Sequence, residues 1–184
     1  IDLHVWGEPD GIAREAIRHG TTAFLTTLGP EPAARLERSV ASRAAQRPEG
    51  AACLGIHLEG PFVNPKRGGA LPRGPMRPPA VGELRRLANA ARGRLKLVTL
   101  APELRGAASA IRWCARRGIA VSLGHSDADA RIAADAVTTG ASAVTHVFNG
   151  MRPLHHRQPA LLDVALTDAR LMTMVIADGV HVGP

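Results

Sequence analysis

The 184-residue sequence has no tyrosine, three phenylalanines, two tryptophans and two cysteines. Lys66 and Lys96 are its only lysines, so 21 of its 23 basic residues are arginine. Each scarcity excludes something. With aromatics at 3% and no basic run interleaved with stacking side chains, a nucleic-acid platform lacks its parts, and none is expected as a partner. Cys53 and Cys114 stand alone in apolar segments without a CxxC pair. That excludes a disulfide scaffold and reads as two buried thiols in a reducing compartment. No run of about 18 apolar residues occurs, so no membrane span is expected. Asp2 and His4 interrupt the opening residues, so a secretory signal is not expected there and the chain is read as cytoplasmic. The net charge of +7 suits an anionic partner such as a phosphate, although an arginine-rich proteome produces the same number.

What is present is an ordinary globular mixture, 45% hydrophobic and 21% charged. Short apolar runs rich in Val, Ile, Leu and Thr occupy 1–7, 21–28, 52–59, 95–101, 119–124, 142–147 and 171–177. Helical stretches fall between them near 10–19, 31–47, 81–92, 105–117, 127–139 and 159–168. Gly20, Gly118 and Gly140 each follow a helical run and precede a strand, the position where a left-handed residue ends a helix. Ser126 or Asp127 is the expected cap of the fifth helix. Such alternation implies an α/β fold with a parallel sheet, either open and doubly wound or a (β/α)8 barrel. Neither GxGxxG nor GxxxxGK[ST] follows the first strand, so the nucleotide-binding versions of the open sheet lack their fingerprint.

The polar residues favour the barrel, because they sit at the C-terminal ends of several separate strands. Glu59 ends the third strand, His125 the fifth and His146 the sixth. One carboxylate and two imidazoles at one mouth form a donor set for a divalent ion, Zn or Fe, with positions left for water and substrate. His57 shares a strand face with Glu59 and is read as a buried interior residue. His4 precedes Trp6 by two, so a two-histidine first-strand metal motif is broken. The proline- and glycine-rich segment 60–80 cannot be a helix or an interior strand; it is expected to arch over the mouth. His155 and His156 read as solvated. A complete barrel needs about 250 residues. Residues 1–184 are therefore expected to form an incomplete TIM (β/α)8 barrel of about seven strands, with unpaired edges at the first and seventh that favour association.

The stretches IDLHVWG, HGTTAFLTTL, LGIHLEGPFVNPKRGGA, LVTLAPE, SLGHSDA, THVFNGM with HHRQP, and ADGVH, taken in this order, resemble the N-acetylglucosamine-6-phosphate deacetylases of the amidohydrolase superfamily. The resemblance implies a metal-dependent barrel hydrolase that removes acetate from a phosphorylated amino sugar. It implies Glu59, His125 and His146 as metal ligands, with His4 and His57 as an extra ligand or as groups behind the ligands. Asn149, Gly150, His181 and the lid residues Ala70 and Leu71 are implied as substrate contacts. Arg157 is implied as the arginine reaching a phosphate across a homodimer interface. Asp178 belongs to the ADGxH motif and is not read as the base. The family's base, an aspartate closing an eighth strand, is expected beyond Pro184, and its small β-sandwich is expected outside residues 1–184. This segment alone is therefore not expected to be active. Leu71 stands where the resemblance implies a substrate-facing histidine, and leucine donates no hydrogen bond. Trp6 and Leu71 motivate an alternative, another amidohydrolase acting on a different acylated amine or a ring amide. A non-catalytic remnant is a further alternative.

Overall fold

The computed structural model describes residues 2–183, with side chains from 6 to 183. Seven strands form one sheet in the order in which they occur, every adjacent pair parallel. They are β1 (Asp2–Val5), β2 (Ala23–Leu28), β3 (Ala52–Glu59), β4 (Leu95–Leu100), β5 (Ala120–Leu123), β6 (Ala143–Val144) and β7 (Met172–Thr173). Between them run α1 (Pro9–Arg18), α2 (Ala33–Ala45), α3 (Val81–Ala90), α4 (Ala107–Ala115), α5 (Ala130–Thr139) and α6 (Leu161–Thr167). Strictly sequential order with a helix in each crossover is barrel topology; a doubly wound sheet would reverse direction at a switch point. No pairing joins β1 to β7 among the described residues, so the sheet is an incomplete barrel. Pro184, beyond which the sequence reading expects the eighth strand and its aspartate, lies outside the described residues. No described helix is long and apolar enough to cross a membrane.

Two-residue alternation divides the sheet's faces. Leu58, Val98, Leu100, Val121 and Leu123 point outward and are buried against the helices. Leu36 and Val40 of α2, Leu84 and Leu87 of α3, Ile111 of α4 and Leu161 of α6 close over them, all almost fully buried. Each such leucine contributes about 1.5–3 kcal/mol by leaving water. The inward face is polar: Thr27, His57, Glu59, Thr99 and Ser122 are all buried. Buried polar atoms require partners, and here they partner one another. Thr27 Oγ1 meets His57 Nδ1 at 3.2 Å and His57 Nε2 meets Thr99 Oγ1 at 2.8 Å. Thr99 Oγ1 then reaches Thr145 Oγ1 at 2.8 Å, which reaches Ser122 Oγ at 2.6 Å. This chain of hydrogen bonds crosses from β2 to the end of β6 directly beneath the strand ends.

Three local expectations are corrected. The cap of α5 is Asp129, whose carboxylate accepts from the N–H of Ile132 at 2.8 Å. Ser126 and Asp127 lie too early and are committed to the loop described below. β6 and β7 pair over two residues each, not over their whole apolar runs, and beyond them only single backbone bonds continue, among them Thr145 N–H to the Leu123 carbonyl and Val147 N–H to that of Met174. Cys114 is buried, which pushes its thiol up to about 12, whereas Cys53 is half-buried, with its Sγ 3.5 Å from an Arg94 nitrogen.

Candidate metal centre and cavity

The three strand ends converge on one point. Glu59 Oε1 lies 3.0 Å from His125 Nε2 and 3.1 Å from His146 Nε2, and the two Nε2 atoms are 3.0 Å apart. The imidazole rings stand edge to face, 88° apart, and all three side chains are buried. Among the described residues this is the one cluster of metal-ligating groups.

The backbone holds the rings in place. His125 Nδ1 lies 2.9 Å from the carbonyl of Arg67, and His146 Nδ1 lies 3.2 Å from that of Asn149. A carbonyl can only accept, so each Nδ1 carries the ring proton and each Nε2 of the neutral ring presents a lone pair. In that tautomer the three atoms that face one another at 3.0–3.1 Å are all acceptors. That arrangement asks for positive charge at its centre. Ligands at 2.0–2.1 Å from a tetrahedral ion stand about 3.3 Å apart, so the triangle fits one divalent ion, and its nitrogen–oxygen character suits a transition metal. His125 and His146 adopt left-handed backbone, at φ 46° and 31°. Non-glycine residues seldom hold that conformation unless the surroundings over-determine it, and such outliers cluster at functional sites.

The segment after β3 closes over this point, with one short turn of 3-10 helix at Pro65–Arg67. It is anchored, not loose. Phe62 and Val63 are fully buried, and Asn64 N–H donates to the His125 carbonyl at 2.9 Å. Two carboxylates tie it further: Glu103, and Asp127, which the sequence reading took only as a helix cap. Glu103, just past β4, accepts from Asn64 Nδ2 at 2.9 Å, from Ser126 Oγ at 2.7 Å and from the Asp127 N–H at 2.6 Å. Asp127 accepts from Arg67 Nε at 2.9 Å and from Arg152 Nε at 3.1 Å. Arg152, with Arg67 behind it, holds the Asp127 carboxyl below the usual carboxylate range. Glu103 was legible only as a carboxylate at another strand end, in LVTLAPE.

A cavity of about 460 Å³ opens above the triangle. Glu59, His125 and His146 line it together with Ala70, Leu71, Asn149, Gly150 and His181, and Trp6, Gly69, Pro72 and Ile176 form the rest of its wall. Gly150 sits at φ 61°, and a Cβ there would come within 2.9 Å of His125 Nδ1, so only glycine lets the loop approach the ring. Asp178 accepts from the Val180 and His181 N–H groups and from His181 Nδ1 at 2.7 Å. Those contacts depress its pKa and make it the residue that orients His181. His57 does not join the triangle; hydroxyls of Thr27 and Thr99 meet its two nitrogens. The side chain of His4 lies outside the described residues. Arg157 is not brought to the cavity: it is exposed, and its N–H reaches His155 Nδ1 at 3.3 Å in a loop where His155 and His156 stack in solvent.

Residues 10–184 match the model of the amidohydrolase family. All of this chain aligns at 41% identity with 51% of a Bacillus subtilis (strain 168) protein named N-acetylglucosamine-6-phosphate deacetylase. All of it aligns at 36% identity with 53% of an Escherichia coli O157:H7 protein named N-acetylgalactosamine-6-phosphate deacetylase. The crystal structure of N-acetyl-D-glucosamine-6-phosphate deacetylase from Mycobacterium smegmatis superposes with a TM-score of 0.91 at 36% identity, over 100% of this chain and 52% of that one. The chain thus spans about half the length of the curated relatives it matches.

Proposed function

The chain belongs to the amidohydrolase family, and on that premise we propose that it carries the metal-binding barrel segment of a hydrolase that removes acetate from N-acetylglucosamine-6-phosphate. The observation that supports this most directly is the convergence of Glu59 Oε1 with two imidazole Nε2 atoms at the floor of a cavity. The proposed ligands of a single ion, zinc or iron, are Glu59, His125 and His146. A divalent ion in such a site polarises an amide carbonyl and lowers the pKa of a water towards about 7. The protein's own groups do the rest. The Arg67 and Asn149 carbonyls keep both imidazoles in the tautomer that presents Nε2. The segment bearing Ala70 and Leu71 covers the scissile amide and limits bulk water. Asn149, the backbone at Gly150 and His181, held by Asp178, hydrogen-bond the polyhydroxylated end of the substrate.

Glu59 is the one carboxylate among the described residues that line the cavity, and it belongs to the ligand set. The group that passes the water's proton to the leaving amine is, as the family resemblance implies, an aspartate beyond Pro184. Arg157, exposed at the surface, is assigned to the phosphate of a substrate held by a partner copy in a homodimer. The test is metal content and acetate release, measured on the full-length protein that contains this chain. One equivalent of ion, lost in Glu59→Ala together with acetate release, supports the proposal. A purified protein that binds no divalent metal overturns it.

A further inference from the structure

The cavity has two kinds of wall. Its polar side, Asn149, Gly150 and His181, comes from the loops after β6 and β7. Its apolar side comes from the end of β1 and the covering segment: Trp6, Ala70, Leu71 and Pro72. Leu71 is 9% exposed, held in the wall by its N–H bond to the Gly68 carbonyl at 3.0 Å. The Trp6 indole is 48% exposed, with the far edge of its ring packed over Gly29. A Cβ on Gly29 would fall 2.2 Å from its Cη2, so the ring occupies space that only glycine at 29 leaves open. Trp6 and Pro72 also line a neighbouring groove of about 370 Å³, whose other walls are Gly29, Pro30, Pro32 and Pro75 together with the charged Glu31 and Arg35. The apolar surface beside the triangle is thus the Trp6–Leu71–Pro72 wall itself, continued by a proline rim that Glu31 and Arg35 flank.

Acetate offers one methyl to such a surface. From this geometry we propose that the site hydrolyses amides whose acyl group is longer than acetyl, with the Trp6–Leu71–Pro72 wall as the acyl-chain subsite. The inference rests on the hydrolase reading above and names the substrate class of that site. The polyhydroxylated, phosphorylated end belongs on the hydrogen-bonding side, which leaves the acyl chain to lie along the indole and Leu71 towards the proline groove. The reaction balances as simple hydrolysis. The oxygen of water bonds to the acyl carbon, the C–N bond breaks, and both protons of the water end on the leaving nitrogen, which departs as an ammonium group. The products are a short-chain carboxylate and the free amino sugar phosphate.

The test compares kcat/KM for N-acetyl-, N-butyryl- and N-hexanoyl-glucosamine-6-phosphate with the metal-loaded full-length protein. A fully buried methylene is worth up to about fourfold. An open groove gives roughly half of that in free energy, about twofold per methylene, so the hexanoyl substrate should exceed the acetyl one by about tenfold or more. Trp6→Ala should bring the hexanoyl-to-acetyl ratio close to one. That ratio is read on one sample, so the fraction of correctly folded variant cancels. Gly29→Ala, which unseats the indole without removing it, should lower the ratio in the same direction. Cleavage of the acetyl substrate with rates that fall at each added methylene overturns the inference and leaves the hydrolase reading intact. Cleavage of none of the three overturns both. A ratio unchanged in Trp6→Ala overturns the subsite.

Discussion

Glu59→Gln tests the metal centre through a change of sign. The carboxylate is 2% exposed and lies 3.0 and 3.1 Å from two ring nitrogens that present lone pairs. Without an ion, a third acceptor there is unfavourable, and burying its charge costs more. Glutamine keeps the shape, removes the charge and supplies N–H donors to the same nitrogens. In the presence of a chelator the variant should therefore be more stable than the parent by about 1 kcal/mol. In the presence of metal the order should reverse. Ion at about 100 times its Kd adds about 2.7 kcal/mol to the parent. Losing a charged ligand should weaken binding by at least the roughly 10–100-fold known for changes behind the ligands. At roughly 2–4 °C per kcal/mol for a protein of this size, a variant that no longer binds the ion should melt roughly 3–7 °C below the metal-loaded parent and about 2–4 °C above the chelated one. Calorimetry on both proteins in zinc and in chelator reads both numbers. A similar loss in both conditions would refute the reasoning, because it would make Glu59 a structural acceptor for protonated imidazole instead of a ligand.

Two further outcomes follow from the scaffold. Asp129→Ala removes the side chain that accepts the Ile132 N–H at the start of α5, and should lower the urea-derived stability by about 1 kcal/mol with the m-value unchanged. The Arg170 guanidinium, with its backbone N–H, holds the Asp168 carboxyl down to about 2 from an ordinary 3.8. A folded-state pKa below the unfolded one means stability that is complete above about pH 4 and lost as pH falls towards 2. An NMR titration should place the Asp168 midpoint near that depressed value, and Arg170→Ala should return it towards the ordinary one; a midpoint that does not move refutes the pairing.

Much of this architecture was legible because the sequence states it locally. Apolar runs of strand length, separated by helical stretches that stop at Gly20, Gly118 and Gly140, place seven strands and six helices in register with those observed. β6 and β7 were read too long because composition reports an apolar run, whereas a strand also needs a neighbour. Regular ladder pairing with their neighbours covers two residues only. Glu59, His125 and His146 were legible as a set because barrel chemistry is confined to strand ends, and few strand-end residues can bind a metal. Glu103 and Asp127 were not, since a carboxylate in a loop declares nothing until its donors are known. Theirs come from Asn64, Arg67 and Arg152, distant in sequence.

The inward threonines show the limit most clearly. Thr99 pairs in register with Ser122 on one side and Glu59 on the other. That register carries a hydroxyl chain from His57 through Thr99 to Thr145 beneath the ligand triangle. In sequence these residues are simply β-branched and strand-compatible. Their joint effect is to give a buried histidine and a row of hydroxyls mutual hydrogen bonds, so that polar side chains occupy the barrel interior at modest cost. The same contacts limit movement of the β4 and β6 ends from which Glu103 and His146 project. Left-handed backbone at His125 and His146 needs such a floor. A ligand held in a strained conformation stays there when the residues below it are pinned by pairs that cannot shift singly, and each hydroxyl here loses its neighbour's partner if it moves.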